Sequence, residues 1–443
     1  MAAPPGPSLP PLVQTLGFVL APSRFIESSR RRYGDVVTFS TAFESNFVML
    51  FDPEDVKRVF RAPPAEMRAG EANALLGPVL GERSLLLLDG AEHLRQRKLM
   101  LPPFHGDRLR GHVDTMRTAA DRAIDSWPVG SEFTLIPSMQ TLTLEVIMRA
   151  VFGVHDAARE RELTRRVRAM LDPVARRLGI FVLALTGGRF GRRGAMRRFR
   201  ERRAELDELL FDEIARRRTA PDLHERGDAF SMLVAARDDE GRQLSDAEIR
   251  DELVTLLVAG HETTANGLAW AFDLLLHNPP VLERLKAALA DGDPGGYADA
   301  VVKETLRVRP VIPGVGRVVR ERPFELRGFT IEPGTEINPS IFGIHRRRGA
   351  YPDPAAFRPE RFLGDGAPDG YSWLPFGGGT RRCIGASFAL VEMRTVIARV
   401  IERCELRPAS AREDKLERRG ITLVPKRGVR VTQARAPLPA APA

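Results

Sequence analysis

One cysteine in this 443-residue chain sits where it can do chemistry. Cys383 follows Trp373-Leu374-Pro375-Phe376-Gly377-Gly378-Gly379-Thr380-Arg381-Arg382 and precedes Ile384-Gly385. Three consecutive glycines bring a helix or strand interior only entropy to lose, so they mark a tight turn rather than packing. Its bare N–H groups are expected to approach something closely. Ile384, Phe388, Val391, Val396 and Val400 then recur at helical spacing, which predicts a helix beginning at the cysteine. A thiol at a helix N-terminus, beside Arg381 and under free N–H groups, is set up to ionise. A thiolate serves as nucleophile or as ligand. No Cys/His/Asn arrangement is evident to use it as a nucleophile, so ligation is the better reading.

A second constellation lies inside the longest periodic segment, Asp246 to His277, where Ala259-Gly260-His261-Glu262-Thr263-Thr264 interrupts a run of leucines and valines. Glycine and threonine are poor helix-interior residues, glycine by up to about 1 kcal/mol. Placed mid-helix, they predict a functional bend in which a hydroxyl replaces a helix bond and a small residue leaves room for a ligand. His261 reads as a bystander. His93 and Arg97, four apart, share a helix face, and so do Glu304 and Arg307, three apart. That spacing alone is common, since Glu162 and Arg165 share it.

The pattern Phe376-x-x-Gly379-x-Arg381-x-Cys383-x-Gly385 resembles the haem-binding loop of the cytochromes P450. Other motifs follow that family's order. Ala259-Gly260-x-Glu262-Thr263 is similar to the pattern on its distal helix, and Glu304-Thr305-Leu306-Arg307 to its Glu-x-x-Arg helix. Phe357-Arg358-Pro359-Glu360-Arg361-Phe362 resembles the segment that partners that helix, and Leu101-Pro102-Pro103-Phe104-His105-Gly106 follows His93-x-x-x-Arg97 as in several bacterial members. The resemblance spans about Phe25 to Val431. One departure is Gly295-Gly296-Tyr297-Ala298, where relatives often carry a Pro-Tyr-Leu turn, which leaves that helix boundary open.

The resemblance implies a mainly α fold with small β-sheets, haem lying between the long distal helix and the helix after the cysteine loop. Cys383 would be the axial thiolate of the iron. Phe376, Gly377, Arg381 and Gly385 would cradle the haem, with His93, Arg97 and Arg317 (or its competitor Arg320) at the propionates. Thr263 would hydrogen-bond bound dioxygen and Glu262 relay protons, because O–O cleavage needs delivered protons while stray water releases peroxide. Glu304, Arg307 and Arg361 would form a buried structural network. Leu256, Ala259, Gly260, Val311, Val315 and Leu423 would line the substrate pocket, the hairpin tip at Ile421–Pro425 closing it.

The implied activity is a monooxygenase hydroxylating or epoxidising a hydrophobic small molecule such as a terpenoid, fatty acid or steroid. No flavin domain follows, so electrons from NAD(P)H would arrive through a separate ferredoxin or flavodoxin with its reductase. Arg97, Lys98, Arg346-Arg347-Arg348, Arg382 and Arg394 are candidates for its docking face. A peroxide-using or electron-independent P450-type enzyme is the alternative, though such proteins often lack the acid–threonine pair. A non-catalytic haem sensor would not require that pair.

Composition sets the remaining bounds. Two cysteines, Cys383 and Cys404, give no disulfide framework and suit a reducing cytosol, Cys404 being inert. The net charge is +9 with a pI near 10.1, but arginines are scattered among 58 acidic residues without an aromatic-basic module. That argues against nucleic acid and for an acidic protein partner. The apolar run Leu16–Ala21 falls short of the about twenty residues of a span and has no signal-peptide flank. A cytoplasmic monomer without an integral membrane anchor is expected. Residues 1–24 read as a loose Pro-rich segment, 25–433 as one domain and 434–443 as a disordered tail. The apolar stretch 179–188 reads as either an access lid or a buried connection.

Overall fold

In the computed structural model the chain is described at residues 2–42, 46–104, 106–153, 157–171, 195–364, 368 and 370–439. The stretch 179–188 and His105 lie outside the described residues. Helices of nine residues or more are α1 (Pro11–Leu20), α2 (Pro22–Tyr33), α3 (Pro53–Arg61), α4 (Gly90–Met100), α5 (Val113–Asp125), α6 (Leu135–Phe152) and α7 (Ala157–Leu171). They continue with α8 (Ala195–Arg218), α9 (Asp246–Leu276), α10 (Pro279–Ala290), α11 (Tyr297–Val308) and α12 (Ala386–Arg403).

The expected loose segment 1–24 is instead ordered. Proline at the first helical position lacks an N–H that the helix could not have used, and its fixed φ starts the turn, so Pro11 and Pro22 open α1 and α2 rather than break them. Gln14 is buried and locks α1 down, donating to Pro7 O and Leu9 O while accepting from Ser40 N–H. The lead-in is tied too, Thr38 N–H donating to Pro5 O at 2.8 Å. The expected disordered tail is likewise anchored over its described part, where Arg403 Nε donates to Leu438 O at 2.7 Å.

Strands are short. β1 (Val36–Phe39), β2 (Phe47–Leu50), β3 (Met67–Arg68), β5 (Arg317–Val319) and β8 (Glu336–Pro339) form a mixed sheet in the order β1-β2-β8-β5-β3. β4 (Glu132–Thr134), β9 (Leu406–Pro408) and β12 (Arg430–Gln433) form a second sheet. Two hairpins, β6 (Phe324–Leu326) with β7 (Phe329–Ile331) and β10 (Leu416–Arg419) with β11 (Thr422–Pro425), complete the set.

The helical core is built around α9. Ser245 caps it through a reciprocal capping box with Glu248, satisfying two otherwise orphaned N–H groups. Most of its 31 residues are buried, against α6, α11 and α12 among others. α6 is apolar and long enough by composition to cross a membrane, yet 67% of it is buried inside the protein, so its apolarity is spent on packing. The open boundary before α11 resolves into Gly296 in the left-handed region (φ 66°), with Asp293 accepting from Tyr297 and Ala298 N–H.

Behind α11 a charged network holds chain that has little regular structure of its own. Arg307 and Glu304 are both fully buried and paired at 2.6 Å. The guanidinium also donates to the carbonyls of His345, Pro354 and Ala356. Glu304 accepts from Arg358 N–H at 2.8 Å and lies 3.4 Å from Arg361 Nε. Breaking a buried pair leaves an uncompensated charge, so Glu304→Ala should cost about 3–5 kcal/mol in chemical denaturation. Glu162→Ala, which breaks an exposed pair of the same spacing with Arg165, should leave the midpoint unchanged. Equal losses would deny the network its anchoring role.

Candidate active site

Three contacts from distant elements fix the segment leading to Cys383. Tyr351 OH donates to Ser372 O at 2.8 Å, Trp373 Nε1 to Lys303 O at 3.1 Å, and Leu374 N–H to His345 Nε2 at 2.8 Å. Burial holds His345 neutral, its pKa near 3, so that nitrogen can accept. Two backbone bonds then turn the loop, Gly377 N–H to Leu374 O and Cys383 N–H to Phe376 O, both 3.0 Å. Contrary to the sequence expectation, the helix does not begin at the cysteine. Gly385 is its cap and Ala386 its first residue, because Cys383 and Ile384 are committed to the turn. The three glycines also divide their roles. Gly378 and Gly379 do serve packing, since a Cβ on either would lie 2.6 or 2.5 Å from Phe60, whereas Gly377 and Gly385 face open space.

Cys383 keeps accessible surface, yet burial pushes its thiol pKa up, as expected of a residue lining an internal space. The Gly385 N–H bond and the nearby Arg97 and Arg382 charges oppose that rise by favouring the thiolate. Arg97 is itself aimed at the loop, donating to Arg382 O at 2.6 Å.

Beside the loop, basic groups crowd together. His93 is buried and driven to a pKa near 3 by burial and by the Arg381, Arg97 and Arg317 charges. Burial and neighbouring arginines push Arg317 and Arg381 down to about 10. Two carboxylates oppose this, Asp89, 2.5 Å from Arg381, and Glu336, whose charge acts on Arg317. The strand pattern of β5 sends Arg317 inward, while Arg320 pairs with Glu71 at 2.6 Å and stays out of the cluster. These residues fit a haem: the sulfur has an N–H donor, and the crowded cations would be relieved by two propionates. Among the described residues no group of three or more His, Cys, Asp and Glu side chains could instead hold a bare metal ion.

α9 is helical throughout the Ala259–Thr264 motif. Its side chains bond carbonyls of the preceding turn, Thr263 Oγ1 to Ala259 O at 2.7 Å, Thr264 Oγ1 to Gly260 O at 3.2 Å and His261 Nδ1 to Leu257 O at 2.7 Å. Ala259 is exposed and Glu262 and Thr263 half-buried, in contrast to the buried stretches on either side. Burial raises the Glu262 carboxyl pKa, and the Arg419 charge on the β10–β11 hairpin works against it. Leu256 and Val311 are buried and Val315 half-buried. Leu423 N–H donates to Val311 O at 2.7 Å, which fixes the hairpin against that wall. A Cβ on Gly260 would meet Ile147 of α6 at 3.0 Å, so the glycine also permits close packing of α9 on α6.

Much of the expected basic docking face is committed elsewhere. Arg346 stacks on Phe342, 3.7 Å from the ring centre, Arg347 pairs with Asp35 and Asp52, and Lys98 and Arg394 pair with Asp239 and Asp299. Arg382 and Arg348 remain exposed.

A fold with this thiol loop, this cation cluster and a long helix carrying an acid–threonine pair defines a haem-thiolate class of protein. Residues 4–431 match the family model "Cytochrome P450". The Mycobacterium tuberculosis protein named "Putative cytochrome P450 135B1" is 41% identical over 438 residues, covering 97% of this chain and 91% of that one. Retinoic acid-bound cyanobacterial CYP120A1 superposes with a TM-score of 0.83 at 25% identity, over 99% of this chain and 100% of that one. The cytochrome P450DA haem domain superposes at 0.81 with 22% identity, over 98% of each. The chain belongs to the cytochrome P450 family, and with it to proteins that carry haem and use dioxygen.

Sequence reasoning missed a polar cluster on the site's edge. Glu252, buried on α9, accepts from Leu85 N–H at 2.6 Å and from Gln96 Nε2 of α4, and Thr255 Oγ1 bonds Ser84 Oγ at 2.7 Å. The Leu85 carbonyl accepts from Arg381, so the same loop is gripped from both sides. Asp89, also missed, caps the short helical turn at Ala69–Ala72 through its N–H groups. Burial pushes Glu252 from 4.5 up to about 8, with Asp251 and Glu248 adding to the rise. A raised folded-state pKa favours folding while the group stays protonated. The contribution is full below 4.5 and is lost as pH rises through about 8. Glu252→Gln should therefore flatten the decline in denaturation free energy between pH 5 and pH 8. Parallel curves for the two proteins would remove this assignment.

Proposed function

We propose that this protein is a cytoplasmic haem-thiolate monooxygenase that inserts one oxygen atom into a hydrophobic small molecule. Electrons come from NAD(P)H through a separate ferredoxin or flavodoxin. The observation that carries the reading is the half-buried acid–threonine step, Glu262-Thr263, on an otherwise mostly buried helix of a chain whose Cys383 thiol is supplied with thiolate-favouring neighbours. Haem held by Cys383 supplies the iron that binds and activates dioxygen. Gly385 N–H and the Arg97 and Arg382 charges favour the anionic sulfur against burial, and His93, Arg97, Arg317 and Arg381 would hold the propionates. Glu262, whose protonated form burial favours, is the proton donor in this reading, and Thr263 positions the acceptor of that proton. Residues 25–433 act as one catalytic unit.

The walls at Leu256, Ala259, Val311 and Val315 favour an apolar substrate, within the terpenoid, fatty-acid and steroid classes. The relative with retinoic acid bound supports an elongated member of that set. Arg382, exposed beside the cysteine, is the contact for an acidic redox partner.

The ferrous CO complex should show the red-shifted absorption of thiolate ligation, lost in Cys383→His; an ordinary haem–CO spectrum from folded wild-type protein would sink the ligand assignment. Thr263→Ala should bind substrate as before but divert electrons into peroxide. Product per NAD(P)H should fall by about a hundredfold, at the low end of the effects of positioned proton transfer. Unchanged coupling would remove Thr263 from the relay.

A further inference from the structure

α1 is an unusual surface helix. Its ten residues carry no charge, and none of the first 23 side chains of the protein is acidic, basic or histidine. Six of the 11 exposed large apolar side chains among the described residues fall between Leu9 and Leu20, with Leu12 69% and Leu20 75% exposed. At about 100° per residue, Leu12, Val13, Leu16, Val19 and Leu20 occupy an arc of about 120°. Gln14 and Phe18 fall on the other side.

That other side is what the protein uses. Gln14 makes the three hydrogen bonds described above, and Phe18 packs against Phe25, Phe39 and Phe47 with ring centres 5.1–5.8 Å apart. Gly17 lies so close to Phe25 that a Cβ would come within 2.7 Å of the ring. The helix is thus fixed in rotation, with its apolar arc turned outward. Charge follows immediately in the sequence. Residues 24–32 contain four arginines and one acid, and Arg24, Arg31 and Arg32 are exposed along α2.

We infer that α1 is a docking face for a lipid bilayer surface bearing anionic headgroups, with the leucine–valine arc lying in the interface and the α2 arginines meeting the headgroups. An uncharged apolar arc beside a basic flank is complementary to such a surface. It is a poor complement to an acidic redox protein, which would want cations at its centre. At ten residues α1 is too short to span, so the attachment is in-plane and reversible. The protein needs no integral anchor for this.

The test is co-sedimentation of the full-length, haem-loaded protein with phosphatidylcholine vesicles, with and without phosphatidylglycerol. Wild type should bind the anionic vesicles at least tenfold better than the neutral ones, and high salt should weaken that binding. Leu12→Ser/Leu16→Ser/Leu20→Ser should lower binding at least tenfold while leaving the CO spectrum and melting midpoint intact. Phe211→Ser, an exposed apolar residue elsewhere, should change nothing. If the triple variant does not fold, Leu12→Ser and Leu20→Ser taken singly must each weaken binding. Absence of wild-type binding, equal binding to both compositions, or binding indifferent to the α1 variants would overturn the inference. So would a wild-type dimer that light scattering shows becoming monomeric in the triple variant, which would make the face a contact between copies.

Discussion

A buried guanidinium, Arg307, satisfies more of the irregular chain around the thiol loop than any strand or helix does. Among the described residues from His345 to Phe376 there is little regular structure to pair backbone groups, and buried carbonyls without partners are costly. Arg307 offers five donors in a rigid fork, two spent on Glu304 and others on the carbonyls of His345, Pro354 and Ala356. An apolar residue of the same volume could fill the space but could not satisfy those oxygens. The chain of dependence then reaches the sulfur. Arg307 holds the His345 backbone, His345 Nε2 receives Leu374 N–H, and Leu374 O receives the turn that delivers Cys383.

The electrostatics of the site divide into two parts that share one residue. Around the sulfur, burial opposes the thiolate, and a backbone N–H with two arginines compensates. Around His93, burial opposes the arginines themselves, and Asp89 with Glu336 compensates only in part. Arg97 belongs to both, lowering the thiol pKa and also that of His93. A cofactor with a positive metal at one place and carboxylates at another would settle both imbalances at once. This is why the cluster fits haem better than a small anion would.

What the sequence revealed was local or periodic. α3 at Pro53–Arg61 shows such local signals, because Asp52 caps it and proline opens it. α9 follows its long leucine pattern. What it concealed depended on partners far along the chain. Nothing in Gly378-Gly379 points to Phe60, more than 300 residues earlier, and the run Arg346-Arg347 looks free until Asp35 and Asp52 are brought to it. The buried Glu252 sits among the acidic neighbours Glu248 and Asp251, and only the fold supplies its partners Gln96 and Leu85. The error at α1 was of another kind. Prolines at 10, 11 and 22 read as breakers when two of them were helix starts, and an uncharged helix offers no polar face to betray its period.

The proposed proton relay is sharpened by one bond. A threonine hydroxyl has a single proton, and that of Thr263 is directed to Ala259 O at 2.7 Å. What remains for the pocket is lone pairs. In this arrangement Thr263 accepts a hydrogen bond and can donate only by giving up its tie to the helix. Glu262 has the opposite character, because burial favours its protonated form, a donor. Donor and acceptor therefore stand on adjacent residues, and the direction of proton flow follows from which of them holds the proton at rest. Arg419, lowering the Glu262 pKa from the β10–β11 hairpin, would stabilise the carboxylate that is left once that proton has gone, so the hairpin that walls the pocket would also contribute charge to the relay.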